Sequence, residues 1–196
     1  VLYTSPPTIK AFVESPVDLH AYDSQGRHTG VNYTNTERNI PQSFYIRYSG
    51  DTPQTIILYN TSDNYSFEIV SNFTTQQQMK SLEVESFNFT VEQRTTDYLT
   101  TIHYYNVSIT QNTTAILPFN LTTTNYTMLV DTDGDGETDE TKDPDSIEIN
   151  YAPTATIISP ENGSIYNESE TIEFNGTGTD PEDGVLAKFS LLWTSN

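Results

Sequence analysis

The chain has 196 residues, with 8 Lys+Arg against 27 Asp+Glu, a formal net charge of −19 and a pI near 4.1. Such a surface repels phosphate, which excludes nucleic acid and anionic lipid as natural partners and favours cations. Cysteine is absent, so disulfides, thiolate catalysis and cysteine-based zinc sites are excluded, and no apolar run of about 18 residues is present to span a bilayer. The length suits one full domain and part of a second.

Helical periodicity is scarce, and short alternating apolar runs separated by turn clusters predict an all-β chain. No initiator Met or signal peptide opens it, and the expectation is a processed or truncated end. Residues 1–12 are read as an N-terminal segment. A β-sandwich over 13–150 follows, with strands expected at 17–22, 43–48, 55–59, 65–70, 82–91, 99–110, 115–119, 126–130 and 146–151. The connections 23–30, 49–53 and 60–64 are rich in Gly, Pro, Asn, Asp and Ser, as turns are. Within 82–91 the apolar phase slips from Leu82 and Val84 to Phe87, Phe89 and Val91, which predicts a bulge or corner near Ser86. The aromatic residues fall in phase with the aliphatic ones and are read as core rather than as a sugar-stacking platform.

Asn-x-Ser/Thr sequons occur at Asn32, Asn60, Asn64, Asn72, Asn88, Asn106, Asn112, Asn120, Asn125, Asn162, Asn167 and Asn175, which is 12 of the 16 asparagines. Ser and Thr make up 48 of 196 residues, so chance would supply about 4 such sites. The excess predicts N-glycosylation and hence export to the extracellular cell surface. Strand alternation places Asn64, Asn88, Asn106 and Asn120 opposite in phase to neighbouring apolar residues, so their glycans are expected on the solvent face of the sheets.

The segment Asp131-Thr132-Asp133-Gly134-Asp135-Gly136-Glu137-Thr138-Asp139 follows D-x-D-x-D-G-x-x-D, the opening nine positions of an EF-hand-type loop. Carboxylates at Asp131, Asp133 and Asp135 are expected to converge on Ca²⁺, with the Glu137 carbonyl and Asp139 completing the set. Position 12 is Lys142 where an acidic residue is usual, so Glu140, Asp143 or Asp145 would have to close the coordination. The flanks are predicted strands, which rules out an opening helical sensor. The loop resembles those of dockerins and thrombospondin type 3 repeats, which implies a calcium ion that fixes backbone. With the sequon density and lack of cysteine, the whole resembles archaeal secreted or surface glycoproteins.

Beyond a linker at 151–153 the character changes. Strands are expected at 155–158, 171–174 and 189–193, with an acidic turn at Asp180, Glu182 and Asp183. The run from 153 to 196 resembles the first half of PKD-like Ig domains, which implies an incomplete Ig-like module. Its core face around Phe174, Leu186, Phe189, Leu191 and Trp193 would then be left for following chain or another molecule to cover. His20, His28 and His103 lack metalloprotease spacing and are read as ordinary strand or loop polarity. No G-x-S-x-G elbow or P-loop is present, and no carboxylate sits in an apolar run. No catalysis is expected. The sequence therefore points to a structural or adhesive component of a surface layer or filament, associating with itself or with neighbouring domains through strand contacts. The alternative is a carbohydrate-binding or spacer module of a secreted hydrolase.

Overall fold

The computed structural model describes residues 6–14, 16–32, 35–47, 53–59, 61–72, 85–122, 124–187 and 190–193. The chain is all-β and divides into two compact units, residues 1–96 with 100–148, and residues 97–99 with 149–196. In chain order the first unit draws on β1 (Thr8–Val13), β2 (Val17–Asp23), β3 (His28–Asn32), β4 (Asn35–Arg38), β5 (Ser43–Ile46), β6 (Gln54–Leu58) and β7 (Tyr65–Ser71). It continues with β8 (Glu85–Arg94), β9 (Tyr98–Ile109), β10 (Thr114–Phe119), β11 (Met128–Asp131), β12 (Glu140–Lys142) and β13 (Ser146–Tyr151). The unit boundary falls within β9 and β13.

Two antiparallel sheets result. One has six strands in the order β13-β9-β8-β1-β6-β5, and the other seven in the order β12-β11-β10-β7-β2-β3-β4. Alternation of apolar and polar residues gives each central strand one buried face. β2 buries Val17, Leu19 and Ala21, β7 Tyr65, Phe67 and Ile69, β10 Ala115, Leu117 and Phe119, and β1 Ile9, Ala11 and Val13. These faces meet in one core, where the Phe67 ring lies 6.1 Å from Phe89 on the other sheet and 5.9 Å from Phe119 on its own. Each fully buried Leu, Ile or Phe side chain contributes about 1.5–3 kcal/mol.

Polar side chains also link the two sheets. Gln54 of β6 is buried, its Oε1 accepts the Leu19 N–H (3.0 Å) and the Tyr45 hydroxyl (2.8 Å), and its Nε2 donates to the Val17 carbonyl. Both ends of the amide are thus satisfied while the two sheets are tied together. Burial pushes the Tyr45 hydroxyl up to about 12, so it stays a donor at any ordinary pH.

The expected strands from 17 to 151 match the observed ones closely, and four added strands correct the sequence reading. The N-terminal segment supplies β1, an interior strand between β6 and β8. β3 begins within the expected turn 23–30, β4 follows in a stretch given no strand, and β12 is a short polar edge. Leu82 and Val84, on which the predicted slip rests, lie outside the described residues, and Ser86, where the bulge is expected, is an exposed position of β8. A different slip is present in β9, where Ile102 and Tyr104 are buried and then Val107 and Ile109. Asn106, at φ 52°, absorbs the extra residue, as asparagine does more readily than other side chains. Tyr105, expected to point inward, is consequently 43% exposed.

Asp23 closes the β2–β3 hairpin from inside. Its side chain has no solvent exposure, its Oδ1 accepts the N–H groups of Gln25 (3.0 Å) and Arg27 (2.9 Å), and its Oδ2 accepts the Arg27 guanidinium. Burial pushes this carboxyl up, but the Arg27 and Gln25 donors outweigh it and hold it below the usual carboxylate range. The folded chain then binds fewer protons at Asp23 than the unfolded chain does. Its contribution is complete above about pH 4 and is lost as the pH falls further. Asp23→Asn is expected to lower the unfolding free energy by about 2 kcal/mol at neutral pH. It should also flatten the acid limb of urea midpoints plotted against pH; an unaltered acid limb would exclude Asp23 as its source.

The second unit carries a three-stranded sheet of β14 (Thr154–Ser159), β15 (Asn175–Asp180) and β16 (Gly184–Val185). The strand expected at 171–174 is not formed there; pairing with β14 is taken by β15, whose interior is Gly-Thr-Gly-Thr. The glycines of β15 are required by close approach. A Cβ on Gly178 would stand 2.8 Å from Leu191 Cδ2, and one on Gly176 would stand 3.0 Å from the Trp193 ring. Glycine therefore clears the floor on which Leu191 and Trp193 rest. Of the expected apolar face, Leu186 and Leu191 are half-buried, Phe174 and Trp193 are exposed with their rings tilted against each other at 5.7 Å, and Phe189 lies outside the described residues. Ser190–Trp193 is not strand, contrary to expectation. In the acidic turn, Asp180 Oδ1 accepts the N–H groups of Glu182 (2.9 Å) and Asp183 (3.0 Å), which holds its carboxyl low.

Candidate metal centre

β11 buries Met128 and Val130, so alternation delivers Leu129 and Asp131 to the outer face of the seven-stranded sheet. The chain then leaves the sheet and returns when the Asp139 N–H donates to the Val130 carbonyl (3.0 Å) and β12 pairs with β11. Between these points the carboxylates organise the backbone. Asp131 Oδ1 accepts the Gly134 N–H (2.7 Å) and Oδ2 the Gly136 N–H (2.9 Å). Asp139 Oδ2 accepts both the N–H (2.8 Å) and the hydroxyl (2.6 Å) of Thr132. These donors, the Thr132 hydroxyl foremost, hold the Asp139 carboxyl below its ordinary value. The Thr110 hydroxyl donates to the Thr132 carbonyl (2.7 Å) and anchors the loop to the β9–β10 turn. Gly134, at φ 81°, lies so close to Asn112 that a Cβ would stand 3.0 Å from the Asn112 Cβ.

Asp131, Asp133 and Asp139 come together, each offering an oxygen within 4.8 Å of the others, and they are the one such group of three among the described residues. Asp135 lies outside this cluster, with its Oδ1 accepting the Glu137 N–H (2.8 Å). Lys142 pairs with Asp145 (2.9 Å). Of the residues considered for closing the coordination, Asp145 also accepts the Tyr105 N–H (2.7 Å) and Asp143 accepts the Thr127 hydroxyl (2.7 Å). Both are engaged in pinning β11, β12 and the following turn. The Tyr105 donor, then Lys142, holds the Asp145 carboxyl low. Three carboxylates form a hard oxygen donor set suited to Ca²⁺, whose usual six to eight ligands leave room for water. A groove of about 680 Å³ adjoins the loop, lined by Val70, Asn112, Ile116, Leu129, Asp131 and Glu137.

Among the described sequons, Asn64, Asn72, Asn106, Asn112, Asn125, Asn162, Asn167 and Asn175 are exposed, Asn32, Asn88 and Asn120 are half-buried, and none is buried. Asn60 lies outside the described residues. A second polar group went unread in the sequence. His20 Nδ1 lies 3.0 Å from His28 Nε2, and His28 Nδ1 lies 2.9 Å from Glu37 Oε2, on the outer face of β2, β3 and β4. The eight-residue spacing carries no motif; the hairpin register, with Tyr22 opposite His28 and Gly30 opposite His20, makes the two imidazoles diagonal neighbours. His103 stands apart, paired with the Thr90 hydroxyl (3.1 Å) and stacked on Tyr105. No helix among the described residues is long and apolar enough to cross a membrane. Comparison with family models, curated proteins and solved structures finds no match for the chain.

Proposed function

We propose that the chain is a segment of an extracellular, N-glycosylated structural or adhesive glycoprotein of archaeal type, part of a surface layer or filament, with Ca²⁺ bracing the 131–139 loop. The observation that carries this reading is the placement of the sequons: no described one is buried, although Asn88 sits inside β8 between buried Phe87 and Phe89, and Asn106 inside β9 beside buried Val107. An asparagine so placed can bear a bulky glycan without disturbing the core. Glycans and the charge of −19 keep such a surface hydrated, and the reading assigns the chain no catalytic step. Strand contacts with copies of the chain or with neighbouring domains provide assembly. Glycopeptide mass spectrometry of natively produced protein is expected to find sugar on most of the exposed sequons. Uniformly bare asparagines would overturn the reading. The groove beside the acidic loop favours, as the second reading, a carbohydrate-binding or spacer module attached to a secreted hydrolase.

A further inference from the structure

We propose that His20 and His28 bind a divalent transition metal of the zinc or copper class, with Glu37 as the residue that orients His28. The proposal is independent of the acidic loop. Two imidazole nitrogens bound to one such ion at about 2.0–2.1 Å lie about 3 Å from each other at usual coordination angles. His20 Nδ1 and His28 Nε2 already stand 3.0 Å apart. A small displacement of the rings replaces the proton they share with a cation.

The surroundings prepare one nitrogen for this role. Because Glu37 Oε2 accepts from His28 Nδ1 at 2.9 Å, the neutral ring carries its proton there and turns the Nε2 lone pair toward His20. This carboxylate–imidazole pairing fixes ring orientation and raises ligand basicity in metal sites generally. Glu37 is itself held by the side-chain amide of Asn32. The His20 ring is half-buried, and burial, followed by the neighbouring His28, lowers its pKa against the opposing influence of Asp18. A ring kept neutral is a ring free to ligate.

The backbone makes room for the pair. Gly30 lies opposite His20 at φ 150°, and a Cβ there would stand 3.0 Å from His28 Nε2 and 2.7 Å from the Leu19 carbonyl. Any other residue would push the His28 ring off this position. Tyr22 packs against the other side of His28 with ring centroids 4.9 Å apart. On metal binding, His20 takes the tautomer protonated at Nε2, so no net proton need be lost. The remaining coordination positions are open to water. Imidazole donors select zinc, copper or nickel over calcium, which separates this site from the acidic loop.

Substoichiometric Cu²⁺ added to the full chain, in buffer containing Ca²⁺, is expected to broaden the imidazole NMR signals of His20 and His28. The His103 signals should stay sharp. Calorimetric titration with Zn²⁺ should find a site that is lost in His28→Gln and weakened about 10–100-fold in Glu37→Gln. Broadening of all three histidines alike, broadening of none, or Zn²⁺ binding unchanged in a folded His28→Gln protein would overturn the proposal. If that variant misfolds, the broadening pattern of the unaltered chain decides alone.

Discussion

Phe67→Ala is expected to lower the unfolding free energy of the first unit by about 3–5 kcal/mol. Phe67 is fully buried at the middle of β7, where its ring meets Phe89 from the facing sheet and Phe119 from the next strand. Truncation removes these contacts and leaves a cavity bounded by rigid strands, which cannot collapse to fill it. A domain has only about 5–15 kcal/mol in hand, so the loss is a large fraction of the whole. Phe44 on β5 supplies the contrast, since it is 48% exposed and touches Tyr59 edge-on. Phe44→Ala should cost about 0.5 kcal/mol. Urea unfolding of both variants measures the difference, and equal losses would mean that the core does not lie between these two sheets.

The residues that carry this core are also the ones whose strands were legible. β7 and β10 alternate Tyr65, Phe67, Ile69 and Ala115, Leu117, Phe119 with polar neighbours, so pattern and burial coincide. Where the inward positions are not apolar, the pattern is silent. β3 directs Thr29 inward, where it is accommodated through its hydroxyl contact with Ser43 (2.7 Å) rather than by hydrophobic burial. β1 does alternate Ile9, Ala11 and Val13, but it is short, follows two prolines and includes Lys10, so its interior place in the sheet depends on pairing with β6 and β8, remote in sequence. The same limit governs the sites. The acidic loop is local, and its spacing could be read directly, although Asp135, expected in the set, lies outside the cluster of Asp131, Asp133 and Asp139. Asp139 is held there by Thr132, whose N–H and hydroxyl both donate to it. The histidine pair comes from hairpin register, and eight intervening residues conceal it.

Chelation is expected to lower the melting temperature of the chain by about 5–10 °C, and restoring Ca²⁺ to reverse the shift. An ion present at a hundred times its dissociation constant adds about 2.7 kcal/mol to a fold that alone binds it, and each kcal/mol moves a domain of this size by roughly 2–4 °C. The variants separate the ion from the loop. Asp131 holds the Gly134 and Gly136 N–H groups whether or not a cation is present, so Asp131→Ala should lower the melting temperature in chelator as well as in calcium. Asp133 holds the Asp135 N–H alone, at 3.1 Å, and otherwise contributes charge to a cluster whose members repel. Asp133→Ala should therefore abolish the response to Ca²⁺ while leaving the chelated protein as stable as the parent, or slightly more so. Lys142→Glu would place a carboxylate at the twelfth position but break the pair with Asp145, so it tests whether Lys142 serves that pairing or merely displaces a ligand. A parent protein indifferent to chelation would remove calcium from the loop and leave 131–139 as a turn braced by its own aspartates.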